Sequence, residues 1–224
     1  MALDEYRRRR RFGVTPEPRG RTARQSASRL RFVVQKHRAT RLHYDFRLEW
    51  NGVLLSWALP KGPSLDPSQK RLAVPTEDHP LEYAGFEGVI PEGEYGAGTV
   101  MVWDRGTWTP EVPDVDAALA KGDLAFTLAG TKLRGAWVLV RTRGYGGAGR
   151  PGWLLIKRRD ARASAEDVTE TAPRSAASGR LLVEIARDEG GDVDRAADGD
   201  PPGEVRKLLA RPGAGSGGRR TRRR

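Results

Sequence analysis

The nine residues LHYDFRLEW (42–50), followed at once by Asn51-Gly52 and then VLLSWAL (53–59), restrict the fold more than any other stretch of the chain. Alternation sends Leu42, Tyr44, Phe46, Leu48 and Trp50 to one side of an extended strand and His43, Asp45, Arg47 and Glu49 to the other. Asn-Gly between two such runs is the strongest short-range hairpin signal, because both central positions of a type I′ turn need positive φ. RFVVQKH, KRLAV, GTVMVW, LAFTL, GAWVLVRT and GWLLIKR read as further strands broken by Gly, Pro and polar residues. Short strands at this spacing predict a mainly β chain, a compact antiparallel barrel or sandwich. PDVDAALAKG (113–122) has helical spacing and a Gly stop, and Pro201 to Ala210 has room for one or two more helical turns.

Composition narrows the chemistry. In 224 residues there is no Cys, so no disulfide framework, thiolate nucleophile or iron–sulfur cluster can form, and any metal site must be built from His and carboxylates. Only three His are present. No run approaches the roughly 20 apolar residues of a membrane span, and MALDEYRRRR lacks the apolar stretch of a signal peptide. A cytoplasmic protein of the bacterial nucleoid, with no membrane partner, is the expectation.

The net charge of +11 sits at the two ends. Residues 1–31 hold 10 basic and 3 acidic side chains, residues 212–224 hold 5 basic and none acidic, and the remaining 180 are close to neutral. Arginine runs of this kind neutralise phosphates and release counterions, the main sequence-independent contribution to nucleic-acid affinity. The expected organisation is a basic N-terminal arm (1–31), a β domain (32–160), and a low-complexity, largely disordered region with a basic tail (161–224). Its one apolar island, LLVEIA (181–186), is free to dock on the domain or on a partner.

On the polar face of 42–50, His43, Asp45 and Arg47 stand side by side, each roughly 7 Å from the next. His37 ends the preceding run, and a hairpin through RATR brings it beside His43. Two imidazoles and a carboxylate make a three-ligand site that suits Mn²⁺, Zn²⁺ or Fe²⁺ better than Ca²⁺ or Mg²⁺. Arg47 adds a fork for a phosphate or carboxylate. His79 precedes Pro80 and is held extended or in a turn. Lys61 and Arg71 lie on neighbouring segments as further positive charge.

FVVQKHRATRLHYDFRLEWNGVLLSWALPKGPSLDP, followed by EDHPLEYAGFEGVIPEGEYGAGTVMVWDRGTW, closely resembles the 3′-phosphoesterase domain of bacterial DNA ligase D, in a standalone form. The resemblance implies a small antiparallel β-barrel that binds Mn²⁺ and heals DNA 3′ ends. A diesterase step removes a terminal ribonucleoside, and a monoesterase step then removes the 3′-phosphate to leave a 3′-OH. It places the metal ligands on His37, His43 and Asp45. It places phosphate-contacting groups on Arg47, His79 and Tyr83, with Lys61 and Arg71 in support. Arg10 is a retained basic position, and Glu17 and Glu77 match carboxylates tied to the ribonucleoside-removing step. Where the family carries an acidic residue before Phe12, this chain has Arg11, which weakens the case for the diesterase step. The partners implied are primer–template 3′ ends bearing a ribonucleotide or phosphate, with ligase, polymerase and end-binding proteins as separate chains. Two other readings fit the residues: a non-haem iron oxygenase using His79 as its distant ligand, and a DNA-end-binding module without catalysis.

Overall fold

The computed structural model describes residues 3–20, 29–144 and 152–210. Eight antiparallel strands close into a barrel: β1 (Leu30–Arg38), β2 (Leu42–Trp50), β3 (Val53–Leu59), β4 (Arg71–Pro75), β9 (Trp153–Lys157), β8 (Arg134–Arg141), β7 (Asp123–Gly130) and β6 (Gly98–Pro110), with β6 returning to pair with β1. A short ninth strand, β5 (Gly88–Ile90), pairs with the start of β6, and a 3₁₀ helix (Leu81–Gly85) precedes it. Asn51 (φ 49°) and Gly52 (φ 78°) form the predicted turn between β2 and β3. The helix expected at 113–122 is α2 (Val115–Lys121), capped by the Asp114 side chain and ended by Gly122 at φ 87°.

The lumen is solid. Phe32, Phe46, Trp57, Trp103, Trp108, Phe126 and Trp137 point inward with Tyr44 and Leu48, as an eight-stranded barrel requires to fill its interior. The ligand-bearing positions therefore lie on the outer face of β1–β2–β3. That face is also covered: Asp45, Arg47 and Glu49 are as buried as the core residues between them. The cover is residues 3–20, including α1 (Asp4–Arg8), whose Tyr6 packs in a second cluster with Val33, Leu54, Leu81 and Tyr83. The N-terminal arm is thus folded against the barrel through residue 20.

The C-terminal region departs from expectation. Residues 161–210 are not low-complexity disorder: they form α3 (Val168–Thr171), α4 (Leu182–Asp188), α5 (Val193–Ala197) and α6 (Pro202–Leu209). The apolar island docks on the barrel, with Leu181, Leu182, Ile185 and Ala186 fully buried. Inside the wall, Lys36 Nζ lies 3.4 Å from Asp200 Oδ1, and Asp200 Oδ2 accepts the Val183 amide at 2.9 Å. Two of the Asp residues that gave this stretch its disordered composition are helix caps: Asp167 accepts from Thr169 N, and Asp192 from Arg195 N. The basic tail expected at 212–224 lies outside the described residues.

Candidate metal and phosphate site

The β1–β2 register sets His37 opposite His43, with ring centroids 4.7 Å apart, and Gln35 opposite Asp45. Asp45 Oδ2 is 3.7 Å from His37 Nδ1 and 3.7 Å from His43 Nε2, and one donor atom from each residue lies within 4.8 Å of the other two. The other nitrogen of each ring faces a backbone carbonyl: His37 Nε2 donates to Gly96 O (2.9 Å) and His43 Nδ1 to Arg41 O (3.0 Å). Those bonds fix the tautomers that leave an imidazole lone pair on each ring aimed at Asp45, the outer-shell arrangement typical of metal-binding histidines. Burial pushes the His43 pKa down, so its ring stays neutral. Burial would raise the Asp45 carboxyl, but the Arg47 guanidinium 3.2 Å away outweighs it and holds the group well below the usual carboxylate range. A carboxylate and two imidazoles, each with one ring nitrogen left to ligate, fit a divalent transition metal.

Next to this cluster, the Arg47 guanidinium is gripped on every side. Its Nε donates to Gln35 Oε1 (2.8 Å), Nη1 to Ser56 Oγ (2.8 Å), and Nη2 sits 3.2 Å from Asp45 Oδ2. His79 is placed by a two-bond bridge to β3, its N donating to Leu54 O (3.0 Å) and its O accepting from Leu54 N (2.8 Å). Its ring is wedged between two cations, Nδ1 lying 3.0 Å from Arg47 Nη1 and Nε2 3.2 Å from Arg10 Nη2. Burial and then those guanidiniums hold its pKa well below that of free histidine. With Nδ1–H donated to Glu77 O (2.8 Å), Nε2 accepts from Arg10. His79 therefore sits outside the His37–His43–Asp45 cluster, which removes the arrangement an oxygenase reading required of it.

Arg10 ties the remaining expected residues together. It donates to Glu17 Oε1 (2.8 Å), Glu77 Oε1 (3.1 Å) and Tyr6 O (3.1 Å), and its guanidinium lies 3.9 Å from the Tyr6 ring centroid. Burial opposes its charge, but Glu17 more than compensates and raises the Arg10 pKa. Tyr83, on the 3₁₀ helix, donates its hydroxyl to Glu17 Oε1 (3.0 Å), so in this state it props Glu17 and offers no free donor. Arg9 pairs with Glu77 (3.2 Å), and the exposed Arg11 pairs with Glu94. The arginine run is thus largely engaged with the protein itself.

A cavity of about 260 Å³ opens over these groups, lined by His37, His43, Asp45, Arg47, His79 and Arg10 together with Thr76, Glu77, Tyr83 and Tyr95. Lys61 and Arg71 do not line it. Lys61 is exposed just past β3, and Arg71 lies on β4 opposite Leu155 of β9. Sequence reasoning missed Gln35, Ser56, Tyr6 and Tyr95. Gln35 shares a strand face with His37 two residues on, so alternation along β1 carried a signal for it. Tyr6 carried none, since nothing local shows that the arm folds back.

Residues 35–141 match the family model of the DNA Ligase D 3′-phosphoesterase domain. The chain belongs to this family. The multifunctional non-homologous end joining protein LigD of Pseudomonas aeruginosa is 55% identical over 185 residues, covering 81% of this chain and 22% of that protein. The multifunctional non-homologous end joining DNA repair protein LigD of Mycobacterium tuberculosis is 48% identical over 142 residues, 63% of this chain and 18% of that protein. LigD of Mycolicibacterium smegmatis is 41% identical over 163 residues, 70% and 21% respectively. The chain spans about a fifth of the length of these relatives. Among the described residues of this phosphoesterase-family chain, no helix is long and apolar enough to cross a membrane.

Proposed function

We propose that the chain is a divalent-metal-dependent, Mn²⁺-using phosphoesterase that heals DNA 3′ ends for end joining. It would remove a terminal 3′-phosphate and, in a preceding step, a terminal ribonucleoside, leaving a 3′-OH for a ligase or polymerase. The observation that carries this reading is the convergence, in one cavity, of a preorganised His37–His43–Asp45 ligand set with two buried guanidiniums, Arg47 and Arg10.

His37, His43 and Asp45 would hold a divalent ion, which when bound would supply Lewis-acid chemistry at the phosphate. The protein's own groups do the rest. Arg47, locked by Gln35 and Ser56, presents fixed positive charge beside the ligand set, where it neutralises the oxygens of a transferring phosphoryl group without reorganising. His79 is held neutral and both ring nitrogens are engaged, Nδ1 with Glu77 O and Nε2 with Arg10, so it neither gives nor takes a proton here but keeps the two guanidiniums apart. Glu17 and Glu77 orient Arg10. Support for the ribonucleoside step is that the network expected for it is intact although Arg11 replaces an acid: Arg11 turns away to Glu94. Arg8 and Arg11, 74% and 70% exposed, are the members of the run open to flanking phosphates.

The test is a 5′-labelled primer–template ending in a 3′-phosphate or a single ribonucleotide, incubated with Mn²⁺ or with chelator. Conversion of both ends to 3′-OH in Mn²⁺ alone is the expected result. Conversion of the phosphate only removes the diesterase step from the proposal. Tight binding without conversion replaces the proposal with an end-binding module.

A further inference from the structure

Tyr95 is the one aromatic ring among the described residues that is left substantially open, at 48% exposure. It lies on the turn between β5 and β6, held by backbone bonds from Glu94 N to Pro91 O and from Ala97 N to Glu94 O. The turn is tied to the ligand set, because the next residue, Gly96, accepts the His37 Nε2 proton at 2.9 Å. Tyr95 lines the same cavity as His37 and Arg47. The Arg9 guanidinium lies 4.7 Å from the ring centroid and donates to the hydroxyl, and that of Arg10, which also reaches His79, lies 5.7 Å away. An exposed ring bordered by two cations thus stands at the mouth of a cavity built for an anion.

A nucleotide whose 3′-phosphate occupies that cavity carries its sugar and base at the mouth. An aromatic face in that place stacks any base, since every base has a π-face, and neighbouring guanidiniums extend the platform. We propose that Tyr95, with Arg9 beside it, forms a base-stacking subsite for the nucleotide that bears the reacting 3′-phosphate. The subsite rests on the reading above for the position of the phosphate. It gives the protein a grip on nucleic-acid ends over small phosphate esters without reading sequence.

The ring and the hydroxyl make separable contributions, because Tyr95→Phe keeps the stacking face and loses the bond from Arg9. The experiment is a fluorescence titration, without added metal, using a duplex whose terminal base is 2-aminopurine on a 3′-phosphorylated nucleotide. A twin that is abasic at that nucleotide serves as competitor. Wild-type protein is expected to quench the 2-aminopurine on binding and to bind the abasic twin about tenfold more weakly. In Tyr95→Ala the quenching and most of that difference disappear; in Tyr95→Phe both persist. A base-removal effect of the same size in wild type and Tyr95→Ala overturns the subsite, as does no effect in wild type, an arm that needs no variant to fold. Loss of the effect in Tyr95→Phe also overturns it, leaving the ring as an anchor for Arg9. Binding is read without turnover, so the two readings fail separately. Stacking with no hydrolysis in Mn²⁺ contradicts the proposed function alone, and hydrolysis without discrimination against the abasic end contradicts the subsite alone.

Discussion

The Arg47 guanidinium touches Gln35, Ser56, Asp45 and His79 at 2.8–3.2 Å on the outer wall of the barrel, at the floor of the cavity. A planar fork fills those places at once, and an ammonium cannot. Arg47→Lys is therefore expected to lower 3′-phosphate hydrolysis about a hundredfold or more, the range seen when one preorganised charge-stabilising donor is lost, while metal affinity changes little. Steady-state kinetics beside a Mn²⁺ titration separates the two effects. Equal losses in both would make Arg47 a prop for Asp45 and nothing more. The alternation in 42–50 made His43, Asp45 and Arg47 legible as one face. It could not show that this face is buried, because the cover comes from Tyr6, Arg10 and Glu17, far away in sequence and without a local pattern of their own.

The segment Thr76–Pro80, between β4 and the 3₁₀ helix, carries Glu77 and His79 into the cavity and leaves Asp78 in a different position. Burial, reinforced by the Glu77 charge, pushes the Asp78 carboxyl up to about 6, above the ordinary aspartate range. The native state therefore holds this proton over a pH range in which the unfolded chain has released it. The stabilisation is complete below about pH 4 and is lost as pH rises to about 6. Urea unfolding from pH 4 to 7 is expected to show wild type losing stability relative to Asp78→Asn across that window and running parallel to it above. Parallel curves throughout would place Asp78 in solvent. At the same scale, the strands were legible because apolar runs meet clear turns such as Asn51-Gly52. The three residues of β5 were hidden inside a Gly-rich stretch; of the helices after 161, the turns expected at Pro201 to Ala210 are α6, while α3, α4 and α5 were too short for periodicity to register.

Across the whole molecule, the C-terminal helices close the barrel through one fully buried ion pair, Lys36–Asp200. Burial lowers the Lys36 pKa and raises that of Asp200, each opposed by the other's charge. Breaking one side strands the other, so Asp200→Asn is expected to cost about 3–5 kcal/mol in chemical denaturation. Lys36→Met combined with Asp200→Asn should recover most of that loss, because Asn still accepts the Val183 amide and no charge is left unpaired. Additive losses in the double variant would deny the coupling. Composition hid this cap from sequence reasoning: Ala, Gly, Asp and Arg read as a solvated tail until their caps and docking partners are seen together.

The central claim is that His37, His43 and Asp45 hold the metal on which phosphate removal depends. Asp45→Asn tests it most directly, since the change keeps the side chain's size while removing the anionic charge that faces both imidazoles in the ligand set. Calorimetric Mn²⁺ binding and hydrolysis of a 3′-phosphorylated primer–template would be measured on the same preparations of wild type and variant, with folding checked by circular dichroism. The account predicts a folded variant that loses metal binding and hydrolysis together. A folded variant that hydrolyses the 3′-phosphate at the wild-type rate would contradict it.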